Sequence, residues 1–296
     1  MNLRACIAAL ISCILFNACA HIPIEHRTAI QAHSAFVLIH EVLVFQPNTC
    51  MNGADCRPSG EPIYLKVGVG SGGVVDHGDS STTVLTAKHV VSGEKEIPGR
   101  LTRHAVRELS YRYAHMTGED PDLVYGMVLS KSLVFEAVRY DNFVEFSTGQ
   151  SARVEALDCD VSNDMCLVLL PISVNVSRLI VSDKPPHLGE SVVCASAPFG
   201  MAAPPLSVVP YFEGRYSGTD VQTSSSPAHS WFTFPSAPGS SGALILNRNG
   251  DIVGVAIGIS VGRFCGGGGD CAPMRSGVTI AVPHKAITSF LNERIK

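Results

Sequence analysis

Apolar positions along the chain fall mostly into short Val/Ile-rich runs separated by Gly, Pro, Asn and Asp, a pattern that predicts strands and turns. Residues 35–45 form a long, almost wholly apolar strand. Residues 46–61 hold Pro, Asn, Gly and the pair Cys50 and Cys56, and read as a stapled hairpin loop. A strand through small residues follows, Tyr64-Leu65-Lys66-Val67-Gly68-Val69-Gly70-Ser71-Gly72-Gly73-Val74-Val75, with a turn at 76–80 and another strand running into Ala87-Lys88-His89-Val90-Val91. Further strands are predicted at 151–158, after Asp164, at 192–195, at 207–215 and at 231–234, and on both sides of the Asn-Gly-Asp turn at 249–251.

Residues 92–150 interrupt this pattern. Leu101, Ala105, Leu109, Tyr113 and Met116 recur every three to four residues, as on one face of a helix. Asp120-Pro121-Asp122 then reads as a cap and proline first turn of a second helix. Strand-like alternation returns at 134–146, so 92–150 is expected to be a helical insertion. Residues 286–295 predict a closing amphipathic helix, whereas 21–32 read as a polar lead-in. His21, His26, His33 and His40 cannot share one helix face, because His40 lies in the strand pattern, and they are taken as solvated or incidental.

Composition narrows the classes. The 296 residues are 46% hydrophobic and 16% charged, enough apolar material for a sizeable core. A net charge of −4 without a long basic run gives no support to nucleic-acid binding. Residues 1–20 have a positive start at Arg4 and an apolar stretch at 5–16 that is short for a membrane span, which predicts a secretory signal peptide. Ala18-Cys19-Ala20 fits cleavage before His21, and Leu15-Phe16-Asn17-Ala18-Cys19 resembles a bacterial lipobox that would lipidate Cys19; both readings stand. Export permits disulfides, and Cys50–Cys56, Cys159–Cys166 and Cys265–Cys271 are the close pairs. Cys194, in an apolar run, is expected buried and unreactive. A zinc site is the rival reading of the cysteines, but no Cys-x-x-Cys spacing occurs.

The candidate chemistry lies in Pro238-Gly239-Ser240-Ser241-Gly242-Ala243-Leu244, a glycine turn that presents a serine ahead of a hairpin. The amides of Gly239 and Ser241 can converge on one spot where an oxyanion would form. This segment resembles the nucleophile loop of trypsin-like serine peptidases. The 83–91 segment resembles the family's histidine segment, and Asn163-Asp164 before an apolar strand resembles its acid. The resemblance implies Ser241 as nucleophile, His89 as general base and Asp164 as the orienting acid, in the chain order of chymotrypsin-like enzymes. Asp158 and Asp160 are the alternatives for the acid. The run from Gly189 to Pro198-Phe199-Gly200 resembles the strand that opens the second barrel of HtrA-type members, and the whole is also similar to glutamyl-endopeptidase-like members.

The implied fold is all-β: two antiparallel six-stranded barrels, the first over about 33–172 and carrying the helical insertion, the second over about 186–284, then a short helix at 285–296. The implied substrate pocket falls at Pro235, Ser236 and Ala237 and at Ala256, Ile257, Gly258 and Ile259, none of them charged. A small to medium, neutral pocket is expected, with loop 262–275 at its edge. The reaction implied is peptide-bond hydrolysis through an acyl-enzyme, with no metal or organic cofactor. The competing reading is a catalytically silent trypsin-like fold that binds protein. An α/β-hydrolase esterase would need Gly-x-Ser-x-Gly between a strand and a helix and the histidine last in the chain, whereas here His89 precedes Ser241 and a hairpin follows the serine.

Overall fold

A computed structural model describes residues 24–51, 54–91, 101–201, 208–221, 223, 227–265 and 271–295. The expected leader at 1–20 with Cys19, the Gly266–Gly269 run and the first residues of the insertion lie outside them, as do the side chains of Cys265 and Cys271.

The first lobe is built from β1 (Phe36–Met51), β2 (Ala54–Pro58), β3 (Ile63–His77), β4 (Thr82–Ala87), β5 (Leu133–Phe146), β6 (Ser151–Arg153), β7 (Ala156–Asp160) and β8 (Met165–Leu170). Its antiparallel order is β6-β5-β1-β3-β4-β8-β7, with β2 folded back on the far end of β1. β6 and β7 are two halves of one bent segment. Val154 N–H donates to Asn142 O on β5 at 3.0 Å, and Glu155 N–H donates to Leu169 O on β8 at 3.0 Å. That segment closes the sheet on itself, giving a barrel with no free edge along its closure. The second lobe is a closed barrel in the order β10-β11-β14-β13-β12-β9. Its strands are β9 (Ser191–Ala195), β10 (Tyr211–Thr219), β11 (Ser230–Phe232), β12 (Leu244–Leu246), β13 (Ile252–Cys265) and β14 (Cys271–Pro283).

The two-residue alternation of strand side chains sorts residues between cores. In the first lobe Val37, Ile39, Val74, Val84, Cys166 and Val168 point inward, whereas Phe36, Leu38, Val75, Leu85, Met165 and Leu167 point outward. The outward set is also buried, against Val193, Ala195, Leu244, Leu246 and Val255 of the second lobe. These strands are apolar on both faces because one face fills a barrel and the other joins the barrels. In the second barrel Val192, Cys194, Ile245 and Val253 fill the interior.

Two helices clamp the joint. α1 (Ile24–Ala35) buries Ala32 and Ala35 there, and the C-terminal helix (His284–Arg294) buries Ile287, Phe290 and Leu291. α1 occupies the stretch expected as a polar lead-in: its buried contacts are small residues, Thr28, Ala32 and Ala35, so it lacks the large apolar stripe that marks a helix in sequence. Thr28 Oγ1 donates to Arg248 O at 2.8 Å, tying the helix to the turn between β12 and β13.

Between α2 (Lys88–Val91) and β5 lie the insertion helices, α3 (Arg103–Thr117) and α4 (Pro121–Leu129). Thr102 caps α3 through a bond from Ala105 N–H, and Asp120 caps α4 through bonds from Asp122 and Leu123 N–H. They bury Leu109, Tyr113 and Val124 against Leu43, Phe45 and Phe135, a separate small core at the far end of β1. Residues 133–146, counted in the expected insertion, pair with β1 along most of its length and belong to the barrel.

Disulfides join Cys50 to Cys56 and Cys159 to Cys166, each pair directly opposed across a hairpin. Cys265 and Cys271 are likewise opposed in the backbone register of β13 and β14. Cys194 is a free, fully buried thiol, and burial pushes its pKa up to about 12, so it stays protonated and inert.

Candidate active site

β4 ends at Ala87, and the chain turns into the four-residue helix α2, which carries His89. The neighbouring hairpin β7–β8 brings up Asp164 in the left-handed region at φ 54°, a conformation aspartate tolerates better than most residues. From there Asp164 wraps the start of α2. Its backbone oxygen accepts from Lys88 N–H at 3.0 Å, and Oδ1 accepts from His89 N–H at 2.9 Å. Oδ2 lies 2.6 Å from His89 Nδ1. A carboxylate only accepts, so the proton of this last bond sits on Nδ1, and Nε2 is left with its lone pair free. The side chains of His89 and Asp164 are 46% and 32% exposed, so the pair opens onto solvent where a substrate could cover it.

The rival acids are engaged elsewhere. Asp158 receives Arg294 Nε at 2.9 Å. Asp160 Oδ1 accepts from the amides of Ser162 and Asn163, forming the turn that precedes Asp164.

Ser241 sits between two glycines whose small size the fold requires. Gly239 has φ 98°, and a Cβ there would press into Ala197 O and the amides of Phe199 and Gly200. Gly242 has φ 86°, and a Cβ there would collide with Ser71 O and Thr86 Oγ1 and crowd Ala87 N. The backbone beside Ser241 is therefore pressed onto the strand end that carries His89. Ser71 N–H donates to Ser241 O at 2.8 Å, and Gly242 N–H donates to Ala256 O at 2.7 Å, so the serine is held from both lobes. Among the described residues, the amides of Gly239 and Ser241 have no hydrogen-bond acceptor.

The family-model comparison matches a trypsin-like peptidase domain over residues 70–255, well over half of the chain. The chain belongs to the trypsin-like peptidase family. No curated protein matches it. As a trypsin-like peptidase domain it has the expected double-barrel fold, and peptides or proteins are the substrate class that the family implies.

The expected pocket positions fall on two strips of this trypsin-like domain. Pro235 is exposed and Ala237 half-buried just past β11, while Ile257 and Gly258 are half-buried on β13. β14 lies between the strips: Gly258 pairs with Ile280, and Thr279 Oγ1 donates to Phe234 O at 2.9 Å. A β-bulge at Ile257 breaks the register, and the space where a Cβ of Gly258 would point is open.

Sequence reading assigned no role to Ser71, a fully buried residue that organises the loop. Its Oγ donates to Gly239 O at 2.7 Å and accepts from Ala197 N–H at 3.1 Å. Its carbonyl accepts from Thr86 Oγ1 at 2.7 Å. Its signal in the sequence is a hydroxyl set between two glycines, Gly70 and Gly72.

Proposed function

We propose that the chain is an exported serine endopeptidase, free or tethered to a bacterial membrane through Cys19. Ser241 Oγ attacks a peptide carbonyl, and His89 Nε2 takes its proton and later passes it to the leaving amine. Asp164 fixes the tautomer of His89 and stabilises its charged form. The amides of Gly239 and Ser241 receive the oxyanion of the tetrahedral intermediate. Water then releases the acyl group by the same proton relay in reverse. Pro235, Ala237, Ile257 and Gly258 line a neutral pocket for the residue before the scissile bond, which favours small to medium uncharged side chains. HtrA-type enzymes are the branch that the Pro198-Phe199-Gly200 segment resembles most.

The observation that carries this reading is the bond from His89 Nδ1 to Asp164 Oδ2, which leaves Nε2 as an acceptor. The test is labelling of purified mature protein with a fluorophosphonate, with the adduct mapped by mass spectrometry. Labelling at Ser241 that is lost in His89→Ala is the expected result. Folded wild-type protein that never labels would overturn the reading in favour of a silent, protein-binding domain.

A further inference from the structure

Two clefts on the first barrel meet at His40 and Lys66. The larger, about 580 Å³, is lined by those residues together with Tyr64, Arg112, Phe143 and Glu145. The second, about 460 Å³, continues from them past Val67 and Val69 to Gly200. Gly200 belongs to the turn that packs against Gly239. One groove therefore leads from the nucleophile loop, along β3, to helix α3 of the insertion.

Ser241 lies between β13, reached through Gly242 and Ala256, and β3, reached through Ser71. With β13 assigned to the acyl half of a substrate, the half that leaves with the amine is directed along β3. From Ser71 to Tyr64 is seven residues at roughly 3.3 Å each, about 23 Å, so an extended substrate needs about seven residues beyond the scissile bond to fill the far end.

The chemistry at that end is mixed. Tyr64 and Phe143 meet edge to face with ring centroids 6.3 Å apart, and Tyr64 is 43% exposed. Glu145 is engaged by His40 Nε2 at 2.9 Å. Arg112 is fixed at the rim, pairing with Glu108 at 2.8 Å and donating to Tyr64 O at 2.9 Å. Lys66 lies 3.4 Å from His40 Nε2 and has no acid partner among the described residues. The groove thus offers an aromatic ledge beside the ammonium of Lys66, with the Glu145 carboxylate held across from it by His40.

We infer that this groove is a docking site for the leaving-group side of an extended polypeptide substrate. It seats an aromatic side chain on Tyr64 and Phe143 and a carboxylate on Lys66. The inference rests on the peptidase reading of Ser241, and it makes the insertion part of substrate selection.

The test uses two internally quenched peptides with valine before the same scissile bond. One stops two residues after that bond, and the other runs about eight residues beyond it and carries Phe-Asp near its end. Wild-type protein should cleave the long peptide with kcat/KM about tenfold higher, the scale of one charge-assisted contact. Lys66→Glu and Tyr64→Ala should erase that gain while leaving short-peptide cleavage and fluorophosphonate labelling unchanged. Equal kcat/KM for the two peptides in wild type, or equal losses on both in the variants, overturns the inference. Binding of the fluorescein-labelled long peptide to Ser241→Ala, read by polarisation, decides the groove independently of catalysis. Lys66→Glu in that background should raise Kd about tenfold, and an unchanged Kd overturns the inference. Failure of wild type to label or cleave would instead remove the peptidase reading.

Discussion

The hydroxyl of Ser71, on a strand of the first barrel, donates to the carbonyl of Gly239, in the Gly239–Gly242 turn of the second, at 2.7 Å. The same oxygen accepts from Ala197 N–H. One buried side chain thus sets the position of this turn against β3, whose Ser71 carbonyl in turn accepts from Thr86 on β4, the strand that ends beside His89. The two lobes are registered at the site by a hydrogen-bonded residue as well as by the apolar joint beneath it.

Replacing Ser71 by alanine should therefore do two things. It leaves the carbonyl of Gly239 without that donor and the amide of Ala197 without that acceptor, and each orphaned buried group costs about 1–3 kcal/mol. Thermal unfolding should show a loss of about 2–4 kcal/mol, several degrees in Tm for a chain of this size. Fluorophosphonate labelling should also slow at temperatures where the variant remains folded, because the turn that aims the Gly239 amide has lost its anchor. A variant with wild-type Tm and wild-type labelling would show that the turn holds itself.

Asp164→Asn separates orientation from charge. The asparagine oxygen can keep the bond from His89 N–H, so α2 should stay in place and the unfolding temperature should change little. Its amide group, turned to Nδ1, donates, which drives the ring proton to Nε2 and removes the acceptor that the proposed nucleophile Ser241 would use. The labelling rate should fall by about 10³–10⁴-fold, the scale of losing the correct tautomer in such a triad. A loss of less than about tenfold would mean that Asp164 serves only as the cap of α2.

Legibility from sequence followed the strength of the local pattern. The strands were readable because both of their faces are buried, which leaves long apolar runs such as 36–45. The Gly239, Ser241 and Gly242 turn was readable because close backbone approach demands glycine on both sides of the serine. Asp164 stood out by its place at the entry to an apolar strand, where an aspartate needs a partner, and by likeness; what engages Asp158 and Asp160 instead, Arg294 and the turn amides, is a set of contacts that spacing does not encode. α1 escaped because small residues make its contacts. Ser71 and His40 escaped for the same physical reason: a polar side chain in a strand shows no sign in sequence of the distant partner that satisfies it.

His40 supplies a pH prediction away from the candidate site. Burial lowers its pKa below the ordinary 6.5, the hydrogen bond to Glu145 works in the opposite direction, and the charge of Lys66 adds to the lowering. A depressed folded-state value means that the unfolded chain takes up the proton more readily. The stability associated with neutral His40 is therefore full above about pH 6.5 and is lost as pH falls through the lower folded value. Glu145 on β5 and Lys66 on β3 are the charged groups facing the ring. Chemical denaturation of wild type and His40→Gln, measured from pH 8 to pH 5, should show a shallower acid-side decline in the variant, because glutamine has no proton to gain. Parallel curves would place the acid sensitivity elsewhere. A steeper decline in the variant would mean that the Glu145 bond outweighs burial and that protonated His40 stabilises the folded barrel.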